Sequence, residues 1–385
     1  MVAIMLPREI HCGGGSIKSL PHILAKHGFS APILVVDAFI LNSQIGGDIL
    51  RACSDASIHV RTFSGVVPDP TTSSVDAAAA FIKSDRHDCV IGLGGGSAID
   101  TAKAAAVLSG RGGVMRALKA PHVEDKRWLP IIAIPTTAGT GSEATRFTVV
   151  TDDATGEKML CTGAAYLPDI AIVDYELTLS KPKRLTADTG IDALTHAIEA
   201  YVSRKASPFT DHLAMAAMTI IAKNIRRAYS EPGNKQAREA MMLGALNAGI
   251  AFSNSSVALV HGMSRPLGAH FHVPHGLSNA MLLPAVTAWS AEAAQDRYRD
   301  CAVSMGLVEP GVDAASAVAL LVAELTRLNQ ELEVPTPAQY KIPREDWDRL
   351  IPTMAAQALA SGSPQNNPRV PNAAEIADLY ERVWG

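Results

Sequence analysis

Apolar and polar residues alternate along the first half of the chain in a pattern that predicts strands separated by helices. Short runs rich in β-branched residues have the length of buried strands, at residues 32–36, 59–63, 89–93, 130–135, 147–150 and 170–174. Alanine-rich segments between them predict helices, for example at residues 75–84 and 98–108. Apolar strands that alternate with helices are typical of a mostly parallel, Rossmann-like α/β sheet.

The pattern changes after Asp174, where strand-like runs give way to long helical periodicities. Helices are predicted at residues 192–202, 208–227, 235–251, 282–294, 312–328 and 373–383. The change of period predicts an α/β domain over residues 1–178 and an all-helical domain over residues 179–385. A chain of 385 residues is also long for a single core.

Composition narrows the class of protein. The chain has 48% apolar and 19% charged residues with a net charge of -4, which argues against a nucleic-acid or anionic-membrane partner. The N-terminal residues do not have the pattern of a secretory signal, and the longest apolar run, residues 314–323, is about half of a membrane span. Five scattered cysteines without a C-x-x-C pair predict reduced thiols and a cytoplasmic location.

A carboxylate and an imidazole lie four residues apart in the second half of the chain. Asp192 and His196 belong to a helix that we expect to open at Thr189 and Gly190, so that both side chains lie on one face. Such a pair forms half of a metal site. By itself the pair is more typical of an ordinary polar helix face.

A histidine-rich segment downstream favours the metal interpretation. His261 and His275 lie in a stretch that Pro266, Gly268 and Pro274 interrupt, so we expect the two histidines on separate arms that converge. One carboxylate with two or three imidazoles is a ligand set for Zn²⁺ or Fe²⁺.

A glycine-rich turn at the end of the third predicted strand indicates a phosphate site. Gly94, Gly95 and Gly96 allow backbone N–H groups to approach an anion, and Ser97 and Asp100 have the spacing of a capping box at the start of a helix. The N-terminal end of that helix attracts a pyrophosphate. A tight structural turn is the alternative interpretation.

Two further segments fit a dinucleotide. Asp37 ends the first strong strand, where a carboxylate can bind the adenosine ribose hydroxyls and so favour NAD over NADP; a turn-forming aspartate is the alternative. The loop at residues 135–143 follows the fourth strand with hydroxyls and glycines that can contact the pyrophosphate or the nicotinamide ribose.

These segments together resemble a known family. The motifs at residues 94–103, 136–143, 190–199 and 261–276 resemble the iron-dependent (group III) alcohol dehydrogenases, and the resemblance extends over essentially the full chain. It implies a dinucleotide-binding α/β domain, an all-helical metal domain and a cleft between them. The implied metal ligands are Asp192, His196, His261 and His275. The implied NAD contacts are Asp37, Asp69, Gly94, Gly95, Gly96, Ser97, Thr136, Thr137, Thr140 and Lys158, with Phe147 near the nicotinamide.

The chain departs from the family pattern at three positions. Asp69 replaces a frequent asparagine, and Arg146 replaces a smaller or uncharged residue. Arg265 stands where many members have a histidine that relays the substrate proton, and arginine cannot act as a general base. We therefore expect Arg265 to bind a substrate anion, with a structural ion pair as the alternative interpretation. His270 or His272, or the cofactor ribose and water, would then relay the proton.

The predicted function is a reversible hydride transfer between a small alcohol, including a short hydroxy acid, and NAD, with bound Fe²⁺ or Zn²⁺. The product is an aldehyde or ketone. Dehydroquinate-synthase-like and glycerol-dehydrogenase-like zinc enzymes are alternatives, and a regulator that binds NAD and metal without turnover is a third. The resemblance also implies a homo-oligomer, a dimer or larger.

Overall fold

The structure is a computed structural model that describes residues 3–385. The chain divides into two units, residues 3–180 and residues 181–385. In the first unit, strands alternate with helices, in the order β1 Glu9–Cys12, α1 Leu20–Lys26, β2 Pro32–Val36, α2 Ala38–Leu41, α3 Gln44–Asp55, β3 Arg61–Phe63, α4 Thr72–Lys83, β4 Cys89–Gly94, α5 Gly96–Arg111, β5 Ile131–Pro135, β6 Phe147–Thr151, β7 Lys158–Thr162 and β8 Ile170–Val173.

Six of these strands form one parallel sheet. Its order is β1-β8-β5-β4-β2-β3, and every pair within it is parallel. The four central strands β8, β5, β4 and β2 are buried along their whole length. The predicted parallel α/β fold is therefore confirmed, although the second strand begins at Arg61 rather than residue 59.

Alternation of side chains along the strands produces two cores, one on each face of the sheet. In β2, Ile33 and Val35 belong to one apolar cluster, while Leu34 and Val36 belong to the other. Successive side chains point to opposite faces of a strand, and helices must cover both faces of a parallel sheet. A continuous apolar run is the pattern that such a strand requires.

One predicted strand lies outside this sheet. β6 pairs with β7 as a separate antiparallel hairpin, with Phe147 opposite Thr162 and Thr151 opposite Lys158. Buried and partly exposed residues alternate along both strands, unlike the fully buried central strands. A hairpin with one covered face requires only that alternation.

A buried lysine of α5, Lys103, forms hydrogen bonds with the start of this hairpin and with the segment that precedes it. Lys103 Nζ donates to Ser142 Oγ at 3.0 Å, to the carbonyl of Thr145 at 2.9 Å and to the carbonyl of Phe147 at 3.0 Å. Asp100, one turn earlier in the helix, accepts from Ser142 Oγ at 2.6 Å. Burial lowers the pKa of Lys103 to about 8, although the carboxylates of Asp100 and Glu143 oppose the change.

The second unit consists of helices over the region where sequence periodicity predicts them. The α-helices are α6 Lys183–Val202, α7 Pro208–Ser230, α8 Lys235–Asn254, α9 Leu259–Phe271, α10 His275–Ala291, α11 Gln295–Ser304, α12 Ala314–Glu331, α13 Arg344–Ala360 and α14 Ala373–Val383. The predicted all-helical architecture of this region is confirmed. Helices α9, α11 and α13 were not among the predicted elements.

The predicted start of the α6 helix at Thr189 and Gly190 is wrong. The helix begins at Lys183, and Gly190 lies in its interior. A Cβ atom at position 190 would lie 2.9 Å from Ile225 of α7 and 3.0 Å from Met241 of α8. The glycine therefore serves close helix packing rather than helix initiation.

The prolines act differently from the prediction as well. Pro266 does not interrupt α9, which continues through it to Phe271. The break comes at His272, whose backbone is left-handed, and at Pro274, which directly precedes α10. The predicted separation of His261 and His275 onto two arms nevertheless holds, because they lie on α9 and α10.

Across residues 3–385, no single helix is both long and apolar enough to cross a membrane. The pair α8 and α9 meets those limits only when its two helices are taken together, and they are bent by 103° relative to each other.

Replacing Lys103 with methionine should lower the free energy of unfolding by about 3–5 kcal/mol, because Asp100 then stays buried without its cation. Lys83→Met is the matched control on an exposed lysine, with an expected change within about 0.5 kcal/mol. Chemical denaturation measures both variants. A Lys103→Met protein as stable as the wild type would contradict the role assigned to this lysine.

Candidate metal and dinucleotide sites

Three helices of the second unit place one carboxylate and three imidazoles together. Asp192 and His196 project from one face of α6, His261 from the first turn of α9, and His275 from the first residue of α10. One ligand atom from each residue lies within 4.8 Å of the others. The structure thus brings together all four residues that the sequence singles out as ligands.

The distances within this group suit a divalent cation. Asp192 Oδ1 lies 3.9 Å from His196 Nε2, 3.5 Å from His261 Nε2 and 3.7 Å from His275 Nε2. Tetrahedral ligands at about 2.0–2.1 Å from a metal are separated by about 3.4 Å. Each imidazole nitrogen is therefore within about 0.5 Å of the tetrahedral separation from Asp192 Oδ1.

Aromatic stacking and burial hold the imidazole rings. The His196 ring stacks on Phe252 at 4.2 Å and on His261 at 4.4 Å between ring centroids. Asp192, His196 and His261 are buried, whereas the His275 side chain is 39% exposed. The group is therefore closed on three sides and reaches solvent at His275.

A glycine allows α10 to approach α6 this closely. A Cβ at Gly276 would lie 2.4 Å from the carbonyl oxygen of Asp188 and 3.3 Å from the Cβ of Asp192. No larger residue fits there without moving one helix. The contact fixes His275, the adjacent residue, beside the carboxylate of Asp192.

Electrostatics also favour a cation. Burial raises the pKa of the Asp192 carboxyl, but the imidazoles of His196, His275 and His261 outweigh it and hold that pKa well below its ordinary value. Burial lowers the pKa of His261, but Glu199 and Asp192 outweigh it and raise that pKa to about 9. The carboxylates of Asp192 and Glu199 thus favour a positive charge at this group.

Two residues that the sequence analysis did not assign touch the same group. Asn279 Nδ2 donates to Asp192 Oδ1 at 2.6 Å and lies 3.1 Å from His261 Nε2. Its buried Oδ1 has no hydrogen-bond partner among residues 3–385. Glu199 accepts a hydrogen bond from His261 Nδ1 at 2.6 Å. Helical spacing could have found both, since Glu199 is three residues after His196 and Asn279 four after His275.

The remaining candidates from this segment lie outside the four-residue group. His270 Nε2 is 2.8 Å from Gln357 Oε1, and His272 is exposed. Arg265 is partly buried on α9, one turn after His261.

In the first unit, the glycine turn lies where the order of the strands reverses. From β2 the chain passes to β3 on one side, and β4 on the other side leads on to β5. Asp37 follows β2, and Gly94 to Gly96 join β4 to α5. In open parallel sheets, ligands bind at this reversal, beyond the carboxyl ends of the strands.

Neighbouring side chains lie too close to Gly94 and Gly96 for a Cβ atom at either position. Cβ atoms would lie 2.7 Å from Ala98 at Gly94, 3.6 Å from Thr137 at Gly95 and 2.9 Å from Thr140 at Gly96. Asp37 Oδ1 accepts from the Ile40 amide at 2.8 Å and so caps α2. No hydrogen bond to Asp37 Oδ2 occurs in the described chain, and this atom is 3.8 Å from the Cβ position of Gly94.

The other predicted contacts gather around the same turn, with one exception. The Asp69 amide donates to Ser97 Oγ at 3.2 Å, and Lys158 Nζ forms an ion pair with Asp69 Oδ1 at 3.0 Å. The Thr136 amide donates to the carbonyl of Gly94 at 2.8 Å, while its buried hydroxyl has no partner within residues 3–385.

The exception is Phe147, at the far end of the hairpin from Lys158. The guanidinium carbon of Arg146 lies 5.8 Å from the centre of the Phe147 ring.

Known proteins resemble both units. The model of the iron-containing alcohol dehydrogenase family matches residues 7–175, and that of the C-terminal part of the same family matches residues 186–384. The NAD-dependent methanol dehydrogenase of Bacillus methanolicus is 33% identical over 384 residues, with 100% of each chain covered.

Solved structures agree with these matches. A 1,3-propanediol oxidoreductase superposes with a TM-score of 0.94 at 33% identity, with 100% of each chain covered. Sulfoacetaldehyde reductase from Bifidobacterium kashiwanohense, solved with NAD+, superposes with a TM-score of 0.89 at 28% identity, covering 100% of this chain and 99% of the other. The chain belongs to the iron-containing alcohol dehydrogenase family and is an oxidoreductase acting on alcohol groups.

Proposed function

We propose that this protein transfers a hydride reversibly between a small alcohol and NAD, using a divalent metal, Fe²⁺ or Zn²⁺, held by Asp192, His196, His261 and His275. The observation that carries the proposal is that the Nε2 atoms of three imidazoles lie 3.5–3.9 Å from Asp192 Oδ1. When bound, the metal supplies a Lewis acid for the substrate oxygen and the nicotinamide supplies a hydride acceptor.

The side chains have distinct tasks in this proposal. Asp192 supplies the one negative charge of the ligand set, so that a divalent ion keeps a net positive charge toward the substrate oxygen. His196 is held by ring stacking, and His275, the most exposed ligand, marks the side from which a substrate approaches. A proton relay through His270 or His272 stays a prediction.

The glycine turn and its neighbours form the proposed NAD site. The N-terminal end of α5 offers its first amides to the pyrophosphate. Asp37 Oδ2, the Thr136 hydroxyl and the side chains of Thr137, Thr140 and Ser97 provide polar contacts, and Lys158 is held beside the turn by Asp69. Phe147 is proposed to contact the nicotinamide.

Arg265 supports a proposal about the class of substrate. Neither a hydrogen bond nor an ion pair joins this guanidinium to another residue of the described chain, whereas Arg184, Arg226 and Arg297 of the same unit each form an ion pair. Burial lowers the pKa of Arg265, and the charge of Glu199 opposes that effect. An arginine remains charged even so, and its planar fork matches a carboxylate or sulfonate.

We propose accordingly that the enzyme accepts a short hydroxy acid, or the corresponding semialdehyde, at least as well as a plain alkanol. One relative is named for a sulfonated aldehyde and another for a neutral diol, so the family admits both kinds of substrate.

No disulfide joins the cysteines of the described chain, which supports the proposed cytoplasmic location. A homo-oligomer remains part of the proposal.

Wild-type protein loaded with Fe²⁺ or Zn²⁺ should form NADH from members of an alcohol panel. Asp192→Ala and His261→Ala should lose metal and activity but keep the far-ultraviolet circular dichroism of the wild type, because each leaves three ligands on intact helices. His212→Ala, a histidine on α7, is the matched control and should keep its metal. Elemental analysis that finds full metal in both ligand variants would exclude this ligand set.

The cofactor preference rests on the charge of Asp37. We expect a higher kcat/KM with NAD than with NADP, because a 2′-phosphate would lie beside this carboxylate. Asp37→Asn keeps a side chain that can cap α2 but removes the charge, and should reduce the discrimination about tenfold or more. A wild-type preference for NADP, or an unchanged ratio in the variant, would refute the assignment.

Arg265→Leu should raise KM for 4-hydroxybutyrate about tenfold or more, since a charge-assisted hydrogen bond contributes about 1.5–3 kcal/mol. KM for 1-butanol, a neutral alcohol of equal length, should change little. Arg349→Leu, at an exposed arginine paired with Asp346, is the control. Equal changes for both substrates would mean that Arg265 has a structural role only.

A further inference from the structure

A second buried carboxylate lies directly behind the ligand group. Glu199 is 3% exposed and lies on α6, seven residues after Asp192 and three after His196, on the same side of the helix. Its oxygens accept three hydrogen bonds from residues at the start of α9. Oε2 accepts from the Ala258 amide at 2.9 Å and from His261 Nδ1 at 2.6 Å, and Oε1 accepts from the Val260 amide at 2.6 Å.

The two amides belong to the start of α9. This helix begins at Leu259, and the Ala258 side chain cannot cap it. The first amides of a helix have no partner within the helix, and a negative charge there is favoured by the helix dipole. Glu199 therefore performs the capping from another helix, and the amides in turn stabilise its buried charge.

The third hydrogen bond determines which nitrogen of His261 faces the ligand group. With the proton on Nδ1, directed at Glu199 Oε2, Nε2 carries the lone pair, and Nε2 is the atom that lies 3.5 Å from Asp192 Oδ1. The same carboxylate also holds the backbone on both sides of Leu259. Rotation of the ring, its tautomer and the start of α9 are thus set by one side chain.

We propose that Glu199 is the positioning residue of the metal centre, and that it sets metal affinity by holding His261 in its metal-binding tautomer and orientation. This inference rests on the proposed ligand set, but it makes a separate claim about affinity. Partners of metal-binding histidines typically change metal affinity 10- to 100-fold when they are replaced. A residue that only caps α9 would affect folding and leave the affinity of the folded protein unchanged.

Glu199→Gln tests the inference with a side chain of the same shape. One amide oxygen cannot replace two carboxylate oxygens, and its NH₂ group would face either a backbone amide or the His261 ring. We expect the dissociation constant for Zn²⁺, measured by competition with a chelator on folded protein, to rise 10- to 100-fold. The visible spectrum of the Co²⁺-loaded variant should also change, because the geometry around the ion is disturbed.

The matched control is Glu324→Gln on α12. Glu324 is also a buried carboxylate of this unit, 8% exposed, but it pairs with Arg226 and Arg327. Its replacement should lower stability and leave the Zn²⁺ dissociation constant unchanged. An equal loss of affinity in both variants would attribute the effect to general destabilisation and overturn the inference.

A measurement on the wild type keeps the test valid if Glu199→Gln does not fold. In Zn²⁺-loaded protein labelled with ¹⁵N at histidine, the His261 ring should show a protonated Nδ1, slow to exchange with water, and a metal-bound Nε2. A metal-bound Nδ1 would overturn the inference. Wild-type protein that binds no metal would instead contradict the proposed ligand set, so the two failures are distinguishable.

Discussion

A charge removed from water must be met by partners that replace its hydration, and this constraint governs both units of the chain. In the first unit, the ammonium of Lys103 is surrounded by hydroxyl and carbonyl oxygens from the segment between β5 and β6. In the second, Asp192 is surrounded by imidazoles and Glu199 by amide groups. Each buried charge joins a helix to a segment distant in sequence, so the polar core also determines how the elements are arranged.

Small residues make those charge contacts possible. Gly276 lets α10 approach the backbone of α6 at Asp188, and Gly190 lets α6 pack against α7 and α8. Any side chain at either glycine would push these helices apart. Because a metal site tolerates shifts of only a few tenths of an ångström, the ligand group depends on apolar packing as much as on the ligands. In the first unit, Gly94 and Gly96 likewise let the turn after β4 lie close to Ala98 and Thr140.

Much of the fold and the candidate ligands could be predicted from the sequence because local pattern carries that information. Fully apolar runs predict the central strands, and a four-residue spacing places Asp192 and His196 on one face. Contacts between distant segments could not be read in this way. Nothing local indicates that Gly190 is an interior packing residue rather than a helix start, or that α9 continues through Pro266. Glu199 and Asn279 were missed for a related reason: each has the spacing of a site residue, but only the fold shows which partner it meets.

The charges around the proposed centre also bear on its chemistry. Asp192 would leave a divalent ion with one positive charge, and the charges of Glu199 and Arg265 offset each other, so the proposed centre would carry a single positive charge. A neutral alcohol leaves that charge unbalanced until it loses its proton, whereas a carboxylate or sulfonate balances it on binding. Since unbalanced charge is costly in a partly buried site, the proposed centre would favour anionic substrates in the ground state. The benefit to catalysis depends on how much of that binding persists in the transition state, because interactions that are equal in both states lower KM without raising kcat.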